Sequence, residues 1–452
     1  MRARIALLTA AVALLLPALV RAQSGTSALG ASGDVYRVES GSYKSLFPAT
    51  APASAANNPV LALDIVHSGK LQRVLVPGTD GPETEQSPSL AVDPITNRVY
   101  LVWQGQVNIH SVLNLISYGP DGWSETFQCD GDAFSFKSNP QLAATVDHYT
   151  VLDASGNLVP VDRTIFHLVW YDESGLGQRV LYTPLVIQDG TLLHTNVIFD
   201  LQALAGDGAA MGAAASAALP SLLQAPQVRT GADGQSVVAA FIEPTSGALT
   251  TLELRSVTGQ LVSFADDARA VVIDTGRNNP TATRADVIAA ARAVVIDTGR
   301  KLLQQDVADF LSARFLDTLT QEPDSEDLNT AVTKARAVVI DTGVALHHGV
   351  EDKSLATVIE INSDDDPDAS THLLDVHTPA HWQLPAQVPT SGVHVYLSSK
   401  GDYAALAWAT DSAVQYRETG ASGWSAVQSI ALSSTVKSDD ALALVAQRVA
   451  SH

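Results

Sequence analysis

Short apolar runs bounded by Gly, Pro, Asn and Asp punctuate the chain from Pro59 onward. Val60-Leu61-Ala62-Leu63-Asp64-Ile65-Val66 and Gln72-Arg73-Val74-Leu75-Val76 are β-like and separated by Ser68-Gly69, which predicts a hairpin. The stretch Ser87–Gln128 then sets a pattern. It holds Pro88–Val92, a turn at Pro94–Asn97, Arg98–Trp103 closing on Trp, a third strand around Leu115–Tyr118, and Asp121-Gly122-Trp123-Ser124. A second copy runs Asn139–Ala144, Ile165–Trp170 and Arg179–Tyr182. A third runs Ala225–Val228, Ser236–Phe241 and Leu249–Leu254. The last runs Gly392–Leu397, Tyr403–Trp408, Val414–Arg417 and Gly423-Trp424-Ser425.

A unit that recurs in this way cannot bury its own faces and must stack on its neighbours. Four-stranded units arranged radially make a β-propeller, with only short, protected edges. An irregular β-sandwich competes with it. The propeller is preferred because an aromatic closes the second strand of each unit, where a residue between blades belongs. The expected fold is therefore mainly β, a propeller of about five or six blades.

The turns Ser117–Glu125 (SYGPDGWSE) and Tyr416–Ala426 (YRETGASGWSA) resemble the sialidase-type BNR, or Asp-box, propeller repeat, which runs Ser-x-Asp-x-Gly-x-Thr-Trp. Ser117 and Asp121 stand farther apart than in that repeat, and Gly420 and Ser422 stand where the later copy wants an acid. The resemblance implies the propeller fold. For an active member it would also imply arginines clamping a carboxylate, a Tyr–Glu nucleophile pair and an acid. The positions available are Arg255, Glu253, Arg417, Tyr416 and Glu418, with Arg98 and Arg179 also on predicted strands.

Between the third and last units the texture changes. The nonapeptide Ala-Arg-Ala-Val-Val-Ile-Asp-Thr-Gly occurs unchanged at Ala268–Gly276, Ala291–Gly299 and Ala335–Gly343. Val307, Leu311, Phe315 and Leu319 form an i, i+4 stripe, so a mostly α-helical insertion is expected, with the repeats helical too. Val-Ile-Asp-Thr-Gly also resembles the catalytic turn of aspartic proteases, at Asp274, Asp297 and Asp341. However, Arg277, Arg300 and Val344 follow instead of a small residue, and an adjacent Arg would hold the acid ionised.

The expected organisation is a signal peptide at 1–22, a flexible linker at 23–58, and propeller segments at 59–264 and 351–434. The insertion occupies 265–350, and a tail with a helix over Ser438–Ala450 occupies 435–452. Met1-Arg2-Ala3-Arg4, the apolar Ile5–Val20 and the small residues near Arg21 predict a cleaved secretory leader, with no membrane span afterwards and a secreted or periplasmic product. Cys129 is the sole cysteine, so no internal disulfide is available, and nothing beside it in sequence lowers its pKa. A formal charge of −21 excludes nucleic acid and anionic lipid as partners.

No cofactor is expected beyond one calcium candidate. Asp364, Asp366, Asp368, Ser370 and Asp375 place oxygens as a calcium loop does, but Ala369 replaces the glycine of its sharp turn, and a solvated acidic loop is the other reading. His377 and His381 have helical metal-site spacing, which Pro379 forbids. The favoured function is an exported, non-catalytic propeller binding carbohydrate or protein. The alternatives are a sialidase-like glycoside hydrolase, or a structural protein that self-associates through its repeats.

Overall fold

Tyr36, Val38 and Ser40 lie opposite Ile65, Leu63 and Leu61 in an antiparallel pair, so two alternating runs make one apolar face. That pair begins the chain of sheets in the computed structural model. The residues described are 27–30, 32–80, 86–107, 110–129, 136–152, 158–174, 177–188, 191–193, 199–204, 226–231, 234–242, 248–256, 258–303, 305–323, 326–345, 355–360, 371–385, 388–389, 393–420, 423–433 and 436–452. The predicted leader and the loop Asp364–Ser370 lie outside them.

Sheet 1 is β1 (Ser27–Leu29), β2 (Val35–Ser42), β3 (Pro59–His67) and β4 (Lys70–Leu75) in that order, with a helical turn α1 (Tyr43–Leu46) after β2. Two strands, β1 and β2, lie in the stretch expected to be a linker ending in a strand or two, and Tyr36 and Val38 of β2 have an apolar surface to cover. Sheet 2 is β5 (Gln86–Val92), β6 (Val99–Val107), β7 (His110–Gly119) and β8 (Gly122–Trp123), with β9 (Phe127–Cys129) also on β7. Sheet 3 is β10 (Phe136–Leu152), β11 (Leu158–Ser174), β12 (Gly177–Gln188) and β13 (Thr191–Leu193), with β14 (Phe199–Asp200) on β12 and the turn α2 (Leu201–Leu204) after it.

Sheet 4 starts with β15 (Gln227–Thr230), β16 (Ser236–Ile242) and β17 (Ala248–Ser256). The chain then makes helices α3 (Thr258–Asn278), α4 (Arg284–Leu302), α5 (Gln305–Gln321) and α6 (Leu328–Ala345). It returns as β18 (Leu355–Glu360) and β19 (Thr371–Gln383), and β19 pairs with β17. Sheet 5 is β20 (Val393–Leu397), β21 (Ala404–Ala409), β22 (Ala413–Gly420) and β23 (Gly423–Trp424), with β24 (Gln428–Ala431) on β22. Helix α7 (Ser438–Ala450) ends the chain. The architecture is mainly β, in five antiparallel sheets.

The described residues divide into two compact units. Those of 1–145, 164–254 and 377–452 form one; those of 146–163 and 255–376 form the other. In the first unit sheets 1, 2 and 3 stack face to face in chain order, sheets 4 and 5 do the same, and hydrogen bonds join sheet 3 to sheet 4. Leu61 and Leu63 of sheet 1 meet Val99, Leu101 and Trp103 of sheet 2. The opposite face of β6, Tyr100 and Val102, meets Phe166, Leu168 and Trp170 of sheet 3. Between sheets 3 and 4, Thr230 Oγ1 donates to Ala144 O at 2.8 Å, and the Tyr171 hydroxyl is hydrogen-bonded to the backbone of Ile242. Val238 and Ala240 then meet Leu406 and Trp408 of sheet 5, whose other face, Ala405 and Ala407, is covered by Val445 and Val449 of α7.

The strand-closing aromatics are placed accordingly. Trp103, Trp170 and Trp408 each lie in the layer between their own sheet and the preceding one. Burial of such a ring stabilises by several kcal/mol, and truncating one to Ala costs about 3–5 kcal/mol.

One polar cluster sits inside this stack. His167 is 0% exposed within the apolar run Ile165–Trp170. Its Nδ1 lies 2.9 Å from Tyr182 Oη and its Nε2 lies 2.8 Å from Thr145 Oγ1, so both nitrogens are satisfied by a neutral ring. Burial pushes the His167 pKa down to about 3 and the Tyr182 phenol up.

In the second unit the helices pack in sequence and α6 also meets α3, which closes a bundle. The three nonapeptides fall on α3, α4 and α6 in one register. Ala268, Ala291 and Ala335, and four residues on Val272, Val295 and Val339, are all 0% exposed. Asp274 and Asp297 point outward on helix surfaces, and Asp274 sits 3.7 Å from Arg277. The Asp-Thr-Gly triplets are therefore helical, and a helix cannot form the protease-like turn. Thr283 and Asp286 cap α4 reciprocally, at 3.3 Å (Asp286 N to Thr283 Oγ1) and 3.1 Å (Thr283 N to Asp286 Oδ2). The Val307–Leu319 stripe faces the core.

Two predictions follow from these cores. A Cβ at Gly299 would sit 3.1 Å from both Phe264 Cε2 and Ser312 Oγ and 3.3 Å from Ala308 Cβ, all in fully buried side chains. At Gly276 it would meet only the end of Leu328, at 2.7 Å. Replacing helical Gly by Ala gains about 1 kcal/mol, so Gly276→Ala is expected to be neutral or stabilising. Crowding of about 1–3 kcal/mol outweighs that gain at Gly299, so Gly299→Ala is expected to destabilise. Equal denaturation midpoints for the two variants would contradict this.

For His167 the unfolded imidazole, at about 6.5, takes up a proton that the folded ring refuses. Its contribution is therefore whole above that value and is lost as pH falls towards about 3. Between pH 7 and 5 it amounts to about 2 kcal/mol. Denaturation of His167→Asn should show a correspondingly smaller drop across this window. An identical drop in both proteins would rule out the neutral buried ring as its source.

Candidate functional site

The two Gly-Trp-Ser turns prove to be the same local structure. In sheet 2, Tyr118 pairs with Trp123 and Gly119 with Gly122; in sheet 5, Thr419 pairs with Trp424 and Gly420 with Gly423. Gly122 and Gly423 have φ of 92° and 97°, a left-handed conformation that favours glycine. The following serine fastens each turn. Ser124 N donates to Ser117 O at 2.8 Å while Ser124 Oγ accepts from Ser117 N at 2.9 Å. Ser425 does the same with Glu418, at 2.8 and 3.0 Å.

Each turn thereby presents an indole at the junction of third and fourth strand. Trp123 lies against Tyr118 with ring centroids 4.8 Å apart, and Trp424 meets Trp382 edge-on at 6.2 Å. All four rings are half-buried. Trp424 Nε1 donates to Gln383 O at 2.8 Å, which fixes the ring plane. Arg98 crosses Gly119, where a Cβ would come within 2.7 Å of its Nη1, and reaches Asp121 at 2.5 Å. That contact holds the Asp121 carboxyl below the usual carboxylate range.

The residues singled out by the sialidase resemblance have local partners. On β22, Tyr416 and Glu418 share the face towards α7. Tyr416 Oη donates to Gln428 Oε1 at 2.9 Å, and Gln428 Nε2 donates to Glu418 Oε2 at 3.1 Å. Arg448 Nε lies 2.6 Å from Glu418 Oε1, close but off the hydrogen-bonding direction, so this contact is ionic. Arg417, next along the strand, donates Nε to Ser425 O at 2.7 Å. Glu253 on β17 accepts from the buried Ser236 Oγ at 2.9 Å. Arg179 pairs with Asp172 at 3.3 Å. Arg255 is the penultimate residue of β17, and its side chain is outside the described residues. No described hydrogen bond or ion pair joins Glu253 to the Tyr416–Glu418 group.

Asp364, Asp366, Asp368 and Ser370, the calcium candidates, are outside the described residues. Asp375 lies on β19 opposite Leu355, with its side chain outside them as well. No group of three or more His, Cys, Asp or Glu placed to hold a metal occurs among the described residues. His377, Pro379 and His381 lie on β19, an extended strand, and His381 Nδ1 is 2.9 Å from Thr250 Oγ1. The backbone of Cys129 ends β9.

Sequence reasoning missed the cleft around Arg229, lined by Gln227, Val395 and Tyr396 among others. Its one signal was an Arg in the short strand Gln227–Thr230.

No helix among the described residues is long and apolar enough to cross a membrane. No family model matches the chain, and no curated protein matches it. Among solved structures it has a slight likeness to one described as Hadza microbial sialidase Hz136, at 9% identity with a TM-score of 0.26. The alignment covers 50% of this chain and 42% of that one, so the chain spans less than half the length of that protein.

Proposed function

We propose that this protein is an exported, non-catalytic protein whose propeller-like series of five sheets binds carbohydrate through its Gly-Trp-Ser turns. Five antiparallel sheets of short strands, with shared apolar layers between sheets 1 and 2, 2 and 3, and 4 and 5, support the propeller-like reading. The basic start and apolar run of Met1–Val20 support export. The observation that carries the binding reading is the pair of equivalent turns. Each holds a half-buried indole against a second aromatic, and the Trp424 ring is further oriented by the hydrogen bond from its Nε1 to Gln383 O. Rigid aromatic surface of this kind offers contact area at little entropic cost.

A glycoside hydrolase needs two carboxyl groups flanking the bond to be cut, one acting as acid and the other as base or nucleophile. Glu418 is tied to Arg448 and Gln428, and Glu253 to Ser236, which favours binding over turnover. The self-associating alternative would present the repeats' apolar face to another copy. Their Ala and Val positions are instead buried in the chain's own bundle.

Tryptophan fluorescence titration against a panel of soluble oligosaccharides tests the reading. At least one sugar should bind saturably, with Trp424→Ala weakening it about tenfold, equivalent to about 1.4 kcal/mol. Chromogenic glycosides should remain intact. Release of the chromophore, or affinity unchanged in both Trp123→Ala and Trp424→Ala, would defeat it.

A further inference from the structure

Three partly buried arginines of the first unit lie against a carboxylate: Arg73 is 2.6 Å from Asp64 and 2.7 Å from Glu39, Arg98 has Asp121 and Arg179 has Asp172. Arg417 and Arg229 meet none among the described residues, and Arg417 donates Nε to Ser425 O. Arg229, on β15, donates Nη1 to the backbone carbonyl of Leu397 on β20 and meets no carboxylate among the described residues. It lines a shallow, solvent-open cleft between β15, β20 and α7, walled by Gln227, Val395, Tyr396 and Ala446. No lining residue is acidic, although the chain carries a formal charge of −21.

A guanidinium offers five N–H donors and stays protonated at any physiological pH. Desolvation pushes the Arg229 pKa down, with no opposing charge to offset it, whereas Asp64 and then Glu39 hold that of Arg73 up. A partly buried cation without a counter-charge costs several kcal/mol unless something from outside supplies one. Water solvates the open side but does not neutralise it. An oxyanion does both, because two of its oxygens can accept parallel N–H bonds from the guanidinium edge that the Leu397 carbonyl leaves free. The neighbouring Gln227 amide supplies a further neutral donor.

We propose that the Arg229 cleft is a binding site for a small oxyanion, a carboxylate or phosphate group, held between sheet 4, sheet 5 and helix α7. The site is independent of the aromatic turns, and its occupancy neutralises the cation at the junction of three elements.

Calorimetric titration of the full chain with sodium phosphate, and separately with sodium acetate, at constant ionic strength tests this. Saturable one-to-one binding of either anion is expected, and the anion that binds more tightly identifies the source chemistry. Arg229→Met should lower the affinity at least tenfold. Arg229→Lys should retain weaker binding, since an ammonium lacks the bidentate fork. Crystals of the unaltered protein soaked in sodium selenate give a readout that needs no variant to fold: anomalous density beside the Arg229 guanidinium is expected. Absence of that density overturns the proposal. So does selenate density without saturable binding in solution, meaning an adventitious ion only, and so does unchanged affinity in a folded Arg229→Met protein.

Discussion

The central strands of sheets 2 to 5 are dry on both faces, and that constraint organises the first unit. In β6, Val99, Leu101 and Trp103 alternate with Tyr100 and Val102, and all five are buried. In β21, Ala404, Leu406 and Trp408 face one way and Ala405 and Ala407 the other, again all buried. A strand of that composition is stable only in a sheet covered on both sides, so each sheet requires a neighbour in front and behind. The last sheet meets the requirement with α7. Sheet 1 leads the series with a face carrying Arg37, Glu39, Asp64 and Arg73, whose mutual ion pairs replace an apolar partner.

The second unit solves the same problem with helices. A nine-residue segment serves three times because its first and fifth positions, Ala and Val, occupy one helical stripe and are the right size for the bundle interior. Its final glycine allows close approach on two of the helices, against Leu328 from Gly276 and against Phe264 and Ser312 from Gly299. The repeated aspartate falls on the surface at Asp274 and Asp297, where it costs nothing and makes at most an exposed ion pair of small worth. Identity of sequence here reflects identity of environment, and the chemistry of the triplet is incidental.

Charge partnership separates the residues available for binding from those committed to structure. Tyr416, Arg417 and Glu418 read as a reactive cluster in one dimension, yet the strand sends Arg417 to one face and the other two to the opposite face, where Gln428 and Arg448 occupy them. Trp123 and Trp424 are left half-buried in their turns, and Arg229 meets no carboxylate among the described residues.

Periodicity alone determined the strands of the recurring unit, the aromatic at the close of each second strand, the Val307–Leu319 stripe and the terminal helix, because alternation and i, i+4 spacing are properties of neighbours in the chain. It under-read Val35–Ser42, whose strand has few apolar residues and is held by pairing with β3 across a long connection. The nonapeptide was ambiguous locally: β-branched Val-Val-Ile favours a strand and its alanines a helix, and burial of Ala and Val in one bundle interior decided it. The partners of Arg229, Glu253, His167 and Glu418 were beyond any local rule. A side chain's availability depends on which group from a distant strand or helix reaches it, and only the tertiary structure brings Leu397 to Arg229 and Arg448 to Glu418.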